Sequence, residues 1–325
     1  MSMSGLPPGF IPSYETCHEV SAYCPVKATT IGYAPVKGLN IFLAAGYALA
    51  AVITLGVGVW KRTWSFSLSV AAGCILECVG YVGRALLADN PWNGDAFKIQ
   101  IVALVLAPTL ICVGLYLTLK HAVTNLNRSL SRLSPKLYPA IFVPADVSCL
   151  IVQAIGGGVA AAAGRDSYEL LQHGNRTIIA GIVLQVVVLG FFGALAGDYL
   201  FRAARYFGSG GVTAQQEPGA MLWVDKKFRM FLYAMAVAYT ALMIRCIYRI
   251  AEMAGGWGNH IMQDEPSFVV LESFMVLIAS LLLAVFAPGI FFPQMSRSGR
   301  ARGDKEGDAG MVTGTDTPGT EMEHL

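Results

Sequence analysis

The chain has 325 residues, of which 55% are apolar and only 14% charged, whereas ordinary soluble domains carry about 25% charged residues. A surface that poor in charge excludes a water-soluble globular protein. The formal net charge of +2 gives no reason to propose a nucleic-acid partner.

Residues 1–37 are polar, contain proline and lack the apolar centre of a signal peptide; they are read as an N-terminal segment, extracellular by the loop charges. Seven apolar runs follow, at roughly 38–60, 64–87, 99–120, 138–162, 177–201, 229–251 and 268–292. Each is long enough for a helix rising about 1.5 Å per residue to cross a hydrocarbon core of about 30 Å. The alternating segments of about ten residues that a membrane barrel needs are absent. The predicted fold class is therefore all-α, a polytopic bundle of seven transmembrane helices over residues 38–293. Residues 294–325, rich in Gly, Thr, Asp and Glu, read as a disordered cytosolic tail.

Lys and Arg in the connections set the expected orientation. Lys61 and Arg62 occupy the first connection, Lys120, Arg128, Arg132 and Lys136 the third, and Arg202, Arg205, Lys226 and Lys227 the fifth. Arg297, Arg300, Arg302 and Lys305 add to the same side from the tail. The second connection has Asp89, Asp95 and Lys98, and the sixth Asp264 and Glu265. In the fourth, Asp166 and Glu169 offset Arg165 and Arg176. The N-terminus is accordingly expected outside and the C-terminus in the cytosol. Cys17 and Cys24 then lie on the oxidising side, as a small disulfide loop or a free pair. Cys74, Cys78, Cys112, Cys149 and Cys246 fall inside spans as small apolar filler. The sequon at Asn127 faces the cytosol, and the one at Asn175 abuts the fifth span.

Several function classes are missing their residues. There is no G-x-x-x-x-G-K-[ST] loop for a nucleotide motor. The five histidines stand at span ends, in loops or in tails, so no metal site of a seven-helix zinc hydrolase is expected. The seventh span has no lysine for a retinal Schiff base. No cofactor and no catalytic residue is assigned. Pro108, Pro144 and Pro288 are expected to kink their helices.

Ionisable groups at membrane depth cost roughly 2.5–3.5 kcal/mol each and tend to be inward-facing, paired and functional. Glu77, Tyr81 and Arg84 share one face of the second span. Asp146 and Gln153 do so in the fourth, and Arg245, Arg249 and Glu252 in the sixth. Glu272 sits about one turn into the seventh. Given the orientation, Arg84, Arg245, Arg249, Glu252 and Glu272 fall in the outer half, with Glu77 and Asp146 nearer the midplane and without an obvious cationic partner. These nine residues form either a polar, substrate-binding network opening to the outside, or salt bridges that staple helices two, six and seven together.

At these positions the sequence resembles the fungal RTA-like proteins, the lipid-translocating exporter family. The resemblance is carried by Glu77-x-x-Gly80-Tyr81-x-Gly83-Arg84, Leu106-Ala107-Pro108, and Asp146-Val147 with Gln153 and Gly156-Gly157-Gly158. Arg245-x-x-Tyr248-Arg249-x-x-Glu252 and Gly32-Tyr33-x-Pro35 with Asn40 add to it. It runs from about residue 24 to 293. Glu272 stands where the family pattern has aspartate, and Ala287-Pro288-Gly289 where it has His-Pro-Gly. The resemblance implies a seven-span protein of the fungal plasma membrane or a related compartment. It further implies export of sphingoid long-chain bases, resistance to lipophilic amines and sterols, or, in one branch, porphyrin transport.

Three classes of function follow. A translocator of a membrane lipid or lipophilic amine needs buried carboxylates, here Glu77 and Asp146, beside an apolar path, with outer arginines to release the amine or hold a phosphate. A lipid-sensing receptor would signal through the basic cytosolic loops, but the Asp/Glu-Arg-Tyr and Asn-Pro-x-x-Tyr motifs of the commonest receptors are missing. A metal-free intramembrane lipid enzyme would use Glu77 or Asp146 as acid or base. The translocator is the preferred reading, and no protein partner is indicated.

Overall fold

In a computed structural model of the chain, residues 12–14, 16–162, 168–208 and 218–288 are described. The expected disordered tail, its four basic residues, and Arg165 and Asp166 lie outside them. Seven helices are long and apolar enough to cross a membrane. They are α1 (Lys37–Lys61), α2 (Trp64–Asp89), α3 (Gly94–Leu126), α4 (Leu137–Ala162), α5 (Tyr168–Gly208), α6 (Lys226–Ala254) and α7 (Glu265–Val285). A short helix, Pro218–Val224, precedes α6. The protein is an all-helical, multi-pass integral membrane protein.

Capping explains why some helices outrun their apolar stretches. The Asn93 side chain accepts from the Ala96 N–H at 3.1 Å and starts α3 five residues before its apolar run. Asp225 does the same for α6 through Lys227. Polar turns also lengthen α5, to 41 residues. The seventh helix departs from expectation at its other end. It stops at Val285 rather than near 292, with Phe286 leaving helical geometry two residues ahead of Pro288. Pro288 therefore follows the end of α7 instead of kinking it, whereas Pro108 and Pro144 lie inside α3 and α4. Asn175 lies within α5, half-buried, with its side-chain oxygen buried.

The helices pack in chain order around a closed ring: each touches the next, and α7 returns to α1. Inside the ring α3 also reaches α5 and α6. Two of the contacts depend on the absence of a side chain. A Cβ at Gly73 would stand 2.9 Å from the Ala107 carbonyl oxygen, and one at Gly174 would stand 2.6 Å from the Ala160 nitrogen. Those glycines bring α2 against α3 and α4 against α5, the close approach by which helices associate in lipid. The outward faces carry large exposed apolar residues such as Phe42, Val52, Leu68, Phe191 and Phe201. Such a belt is an aggregation hazard in water and is suited to acyl chains.

The N-terminal segment folds back over the end of the bundle where α1 begins. Cys17 and Cys24 are bonded, with Cα atoms 5.9 Å apart. The loop they close is held by Trp92, whose indole N–H donates to the Cys24 carbonyl at 2.9 Å, and by Asn90, which donates to the His18 carbonyl at 2.6 Å. Tyr14 stacks on Phe97 at 4.9 Å. Gly32 takes a left-handed φ of 77°, and a Cβ there would strike the Gln263 side chain, so the segment turns closely against the α6–α7 connection.

Candidate functional site

The helical spacing puts Glu77, Tyr81 and Arg84 on one buried face of α2, and Arg245, Arg249 and Glu252 on the inner side of α6. Glu272 lies two turns into α7, because that helix begins at Glu265. Residues Val269–Phe274 form a π turn, a local widening often found at functional positions, and Glu272 is inside it. Tertiary packing sorts the nine predicted residues into three groups.

The deepest group is built around Arg245 and Glu272. Arg245 Nη2 and Nε lie 2.8 and 2.9 Å from Glu272 Oε1, and Nη2 also donates to the Leu104 carbonyl at 2.7 Å. The pair joins α6 to α7 and pins both to α3. Both arginine contacts fall on one carboxylate oxygen, so Glu272 Oε2 has no hydrogen-bond partner among the described residues. Glu77, 1% exposed, likewise has Oε1 without a partner. The charged groups around it are Glu272, Arg245 and Arg249. Neither arginine makes an ion pair with Glu77 among the described residues: Arg245 contacts Glu272, and Arg249 contacts Glu252. Tyr81 stacks on Tyr47 at 5.3 Å, and the Tyr47 hydroxyl donates to the Ser273 carbonyl at 2.8 Å, inside the π turn.

The second group borders a cavity of about 1230 Å³ beneath the N-terminal segment. Arg84, Gln153, Arg249 and Glu252 are on its wall, whereas Glu77, Tyr81, Asp146, Arg245 and Glu272 are not. The apolar wall includes Val102 and Leu106 of α3, both exposed, and Ile178 and Ile182 of α5. Arg249 Nη1 lies 2.6 Å from Glu252 Oε2. Gln153 donates to Gln185 at 3.1 Å, and Gln185 to Thr109 at 3.1 Å, an amide relay across α4, α5 and α3. Arg84 donates to the Tyr33 hydroxyl, and its guanidinium lies 4.0 Å from the centre of the Phe268 ring. Burial lifts the Tyr33 phenol above the ordinary tyrosine value, against the opposing pull of Arg84, so its oxygen meets the guanidinium as a neutral acceptor.

Asp146 stands apart. It accepts a 2.7 Å hydrogen bond from the Tyr116 hydroxyl, and Tyr116 is wedged against Phe142 and Phe192. Its other oxygen has no partner among the described residues.

These groups correct the two arrangements expected from sequence. The polar residues do not all line the opening: Glu77 and Asp146 are off the cavity wall, and the Arg245–Glu272 group meets it only through the charges of Arg249 and Glu252. The salt bridge spans helices six and seven only. Among the described residues helix two has no ion pair with helix six or seven and meets α7 through the Arg84 contact with Phe268. Thr109, Tyr116 and Gln185 join the site without having been expected there, and Tyr33, noted only within the Gly32-Tyr33-x-Pro35 motif, joins it too. Gln185 left a signal, as a polar amide midway along an apolar run. Tyr116 left none, since a tyrosine in a span is ordinary until its partner is known.

A closed ring of seven helices long and apolar enough to cross a membrane, with buried ion pairs beside a roomy, partly apolar cavity, defines a polytopic membrane protein. The chain belongs to the RTA1-like family, whose description is "RTA1 like protein" and whose model matches residues 70–295. It is 29% identical over 289 residues to the sphingoid long-chain base transporter RSB1 of Saccharomyces cerevisiae, covering 82% of this chain and 75% of the relative. It is 29% identical to protoporphyrin uptake protein 1 of the same organism, covering 68% and 67%. It is also 28% identical to its protein RTM1, covering 71% and 69%. No solved structure matches the chain.

Proposed function

We propose that this protein is a translocator of amphipathic lipids, moving sphingoid long-chain bases or similar lipophilic molecules across the plasma membrane and giving resistance to them. The observation that carries this reading is the cavity. About 1230 Å³ is ample for a headgroup and the upper part of a tail, and its wall combines buried charged groups with exposed apolar α3 residues along which a chain can lie. The name of the long-chain base transporter among the relatives supports the lipid class. Arg84, Gln153, Arg249 and Glu252 receive the headgroup, and Glu77 and Asp146 act deeper in the bundle on a cationic amine.

The test is flux of a labelled long-chain base in proteoliposomes. Transbilayer movement well above that in protein-free vesicles is expected. Binding without movement would turn the reading toward a lipid sensor, and conversion of the lipid toward an enzyme.

The basic connections support a reading in which the C-terminus lies in the cytosol and the capped, disulfide-bearing end of the bundle outside. A tag at the N-terminus should be cut by protease on intact cells, and one at the C-terminus only after permeabilisation. The opposite pattern would invert the direction of transport with it.

A further inference from the structure

Charge on the cavity wall is unevenly matched. Arg249 is held by Glu252 at 2.6 Å. Asp95 and Lys98 face each other at 3.5 Å on the exposed rim. Arg84 is the exception: only 2% exposed, it has no carboxylate within ion-pair distance among the described residues. It donates to a neutral phenol and lies over the face of Phe268, while Glu252 and Glu265 act on the same Tyr33 hydroxyl without forming an ion pair with the guanidinium. A guanidinium has five N–H donors in a planar fork, and the Tyr33 contact uses only one of its nitrogens. A buried cation with free donors on a cavity wall is a poor host for an ammonium group and a good one for an oxyanion, which the fork can grip in bidentate fashion.

We infer that the cavity takes lipids whose headgroup carries a phosphate, a phosphorylated sphingoid base being the simplest, and that Arg84 binds that phosphate while Glu252 faces the neighbouring amine. This rests on the reading of the cavity as the lipid site. It deepens that reading, because an unphosphorylated base offers Arg84 only a cation and hydroxyl groups. The requirement for a tail follows from the apolar part of the wall, which a free phosphate leaves uncovered.

The experiment uses the full chain in lipid nanodiscs and two fluorescent probes with the same tail, a sphingoid base phosphate and its unphosphorylated parent. The phosphate form is expected to bind about tenfold tighter or more, the scale of a charge-assisted hydrogen bond. Inorganic phosphate at the same concentration should not displace it. Arg84→Gln should bring the two probes to equal affinity, and Arg84→Lys, which keeps the charge but not the fork, should retain part of the preference. Should Arg84→Gln not fold, the comparison of probes on the unaltered protein still decides. Equal binding of both probes there overturns the inference, as does a preference that survives Arg84→Gln. Displacement by inorganic phosphate overturns it in favour of a free-anion site. Flux of the unphosphorylated base with no phosphate preference would sink this inference alone. A phosphate preference with no flux of either lipid would sink only the translocator reading.

Discussion

Arg245→Met is expected to cost the folded protein about 3–5 kcal/mol, the scale set by breaking a buried ion pair from one side. The guanidinium meets Glu272 Oε1 through two nitrogens and also satisfies the Leu104 carbonyl. Methionine fills much of the volume but leaves a carboxylate with neither oxygen bonded, at a position 1% exposed. The loss is to be read as folded yield and thermal melting of the detergent-solubilised protein. Activity per folded molecule should fall less than yield. Adding Glu272→Leu should recover most of the lost stability, because a buried pair replaced on both sides by apolar residues is often close to neutral. An Arg245→Met protein that is fully stable yet inactive would make the arginine a ligand-binding group and remove its structural role.

Glu77→Gln is the second large effect, and it should appear in transport rather than in folding. Glutamine keeps the shape of the side chain and its hydrogen-bonding capacity. What it removes is the capacity for negative charge. Two arginines act on Glu77 from a distance, but Arg245 is paired with Glu272 and Arg249 with Glu252, so the charge of Glu77 is left for a proton or a passing cation. Flux of a long-chain base through Glu77→Gln should therefore fall about tenfold or more, while a lipid with no amine is much less affected. Because Glu77 lies off the cavity wall, binding of the headgroup in the cavity should survive the change. If the variant moves long-chain base as fast as the parent, Glu77 is a packing residue and the deeper step needs another group.

Both variants bear on how the chain encodes its structure. Seven helices could be read directly, since the length and apolarity of a span are local properties, set by backbone hydrogen bonding in a medium without water. The shared faces of Glu77, Tyr81 and Arg84, or of Arg245, Arg249 and Glu252, follow as directly from 3.6 residues per turn. Where a helix ends was less legible. Apolar residues run on to about 292, while α7 is described only to Val285.

The partners were decided by the fold alone. Arg245 finds Glu272 across 27 residues of chain, Tyr116 finds Asp146 across 30, and Gln185 finds Thr109 across 76. Each pairing depends on how far one helix is rotated and shifted against the next. That is set by close contacts such as Gly73 on Ala107 and Gly174 on Ala160, and at Glu272 by the extra width of a π turn. The chain by itself determined that these charges would be buried together in the bundle. Only tertiary packing left Arg84 facing the cavity without an ion pair among the described residues and Glu77 away from it, because rotation about a helix axis costs the local sequence nothing until a neighbour is in place.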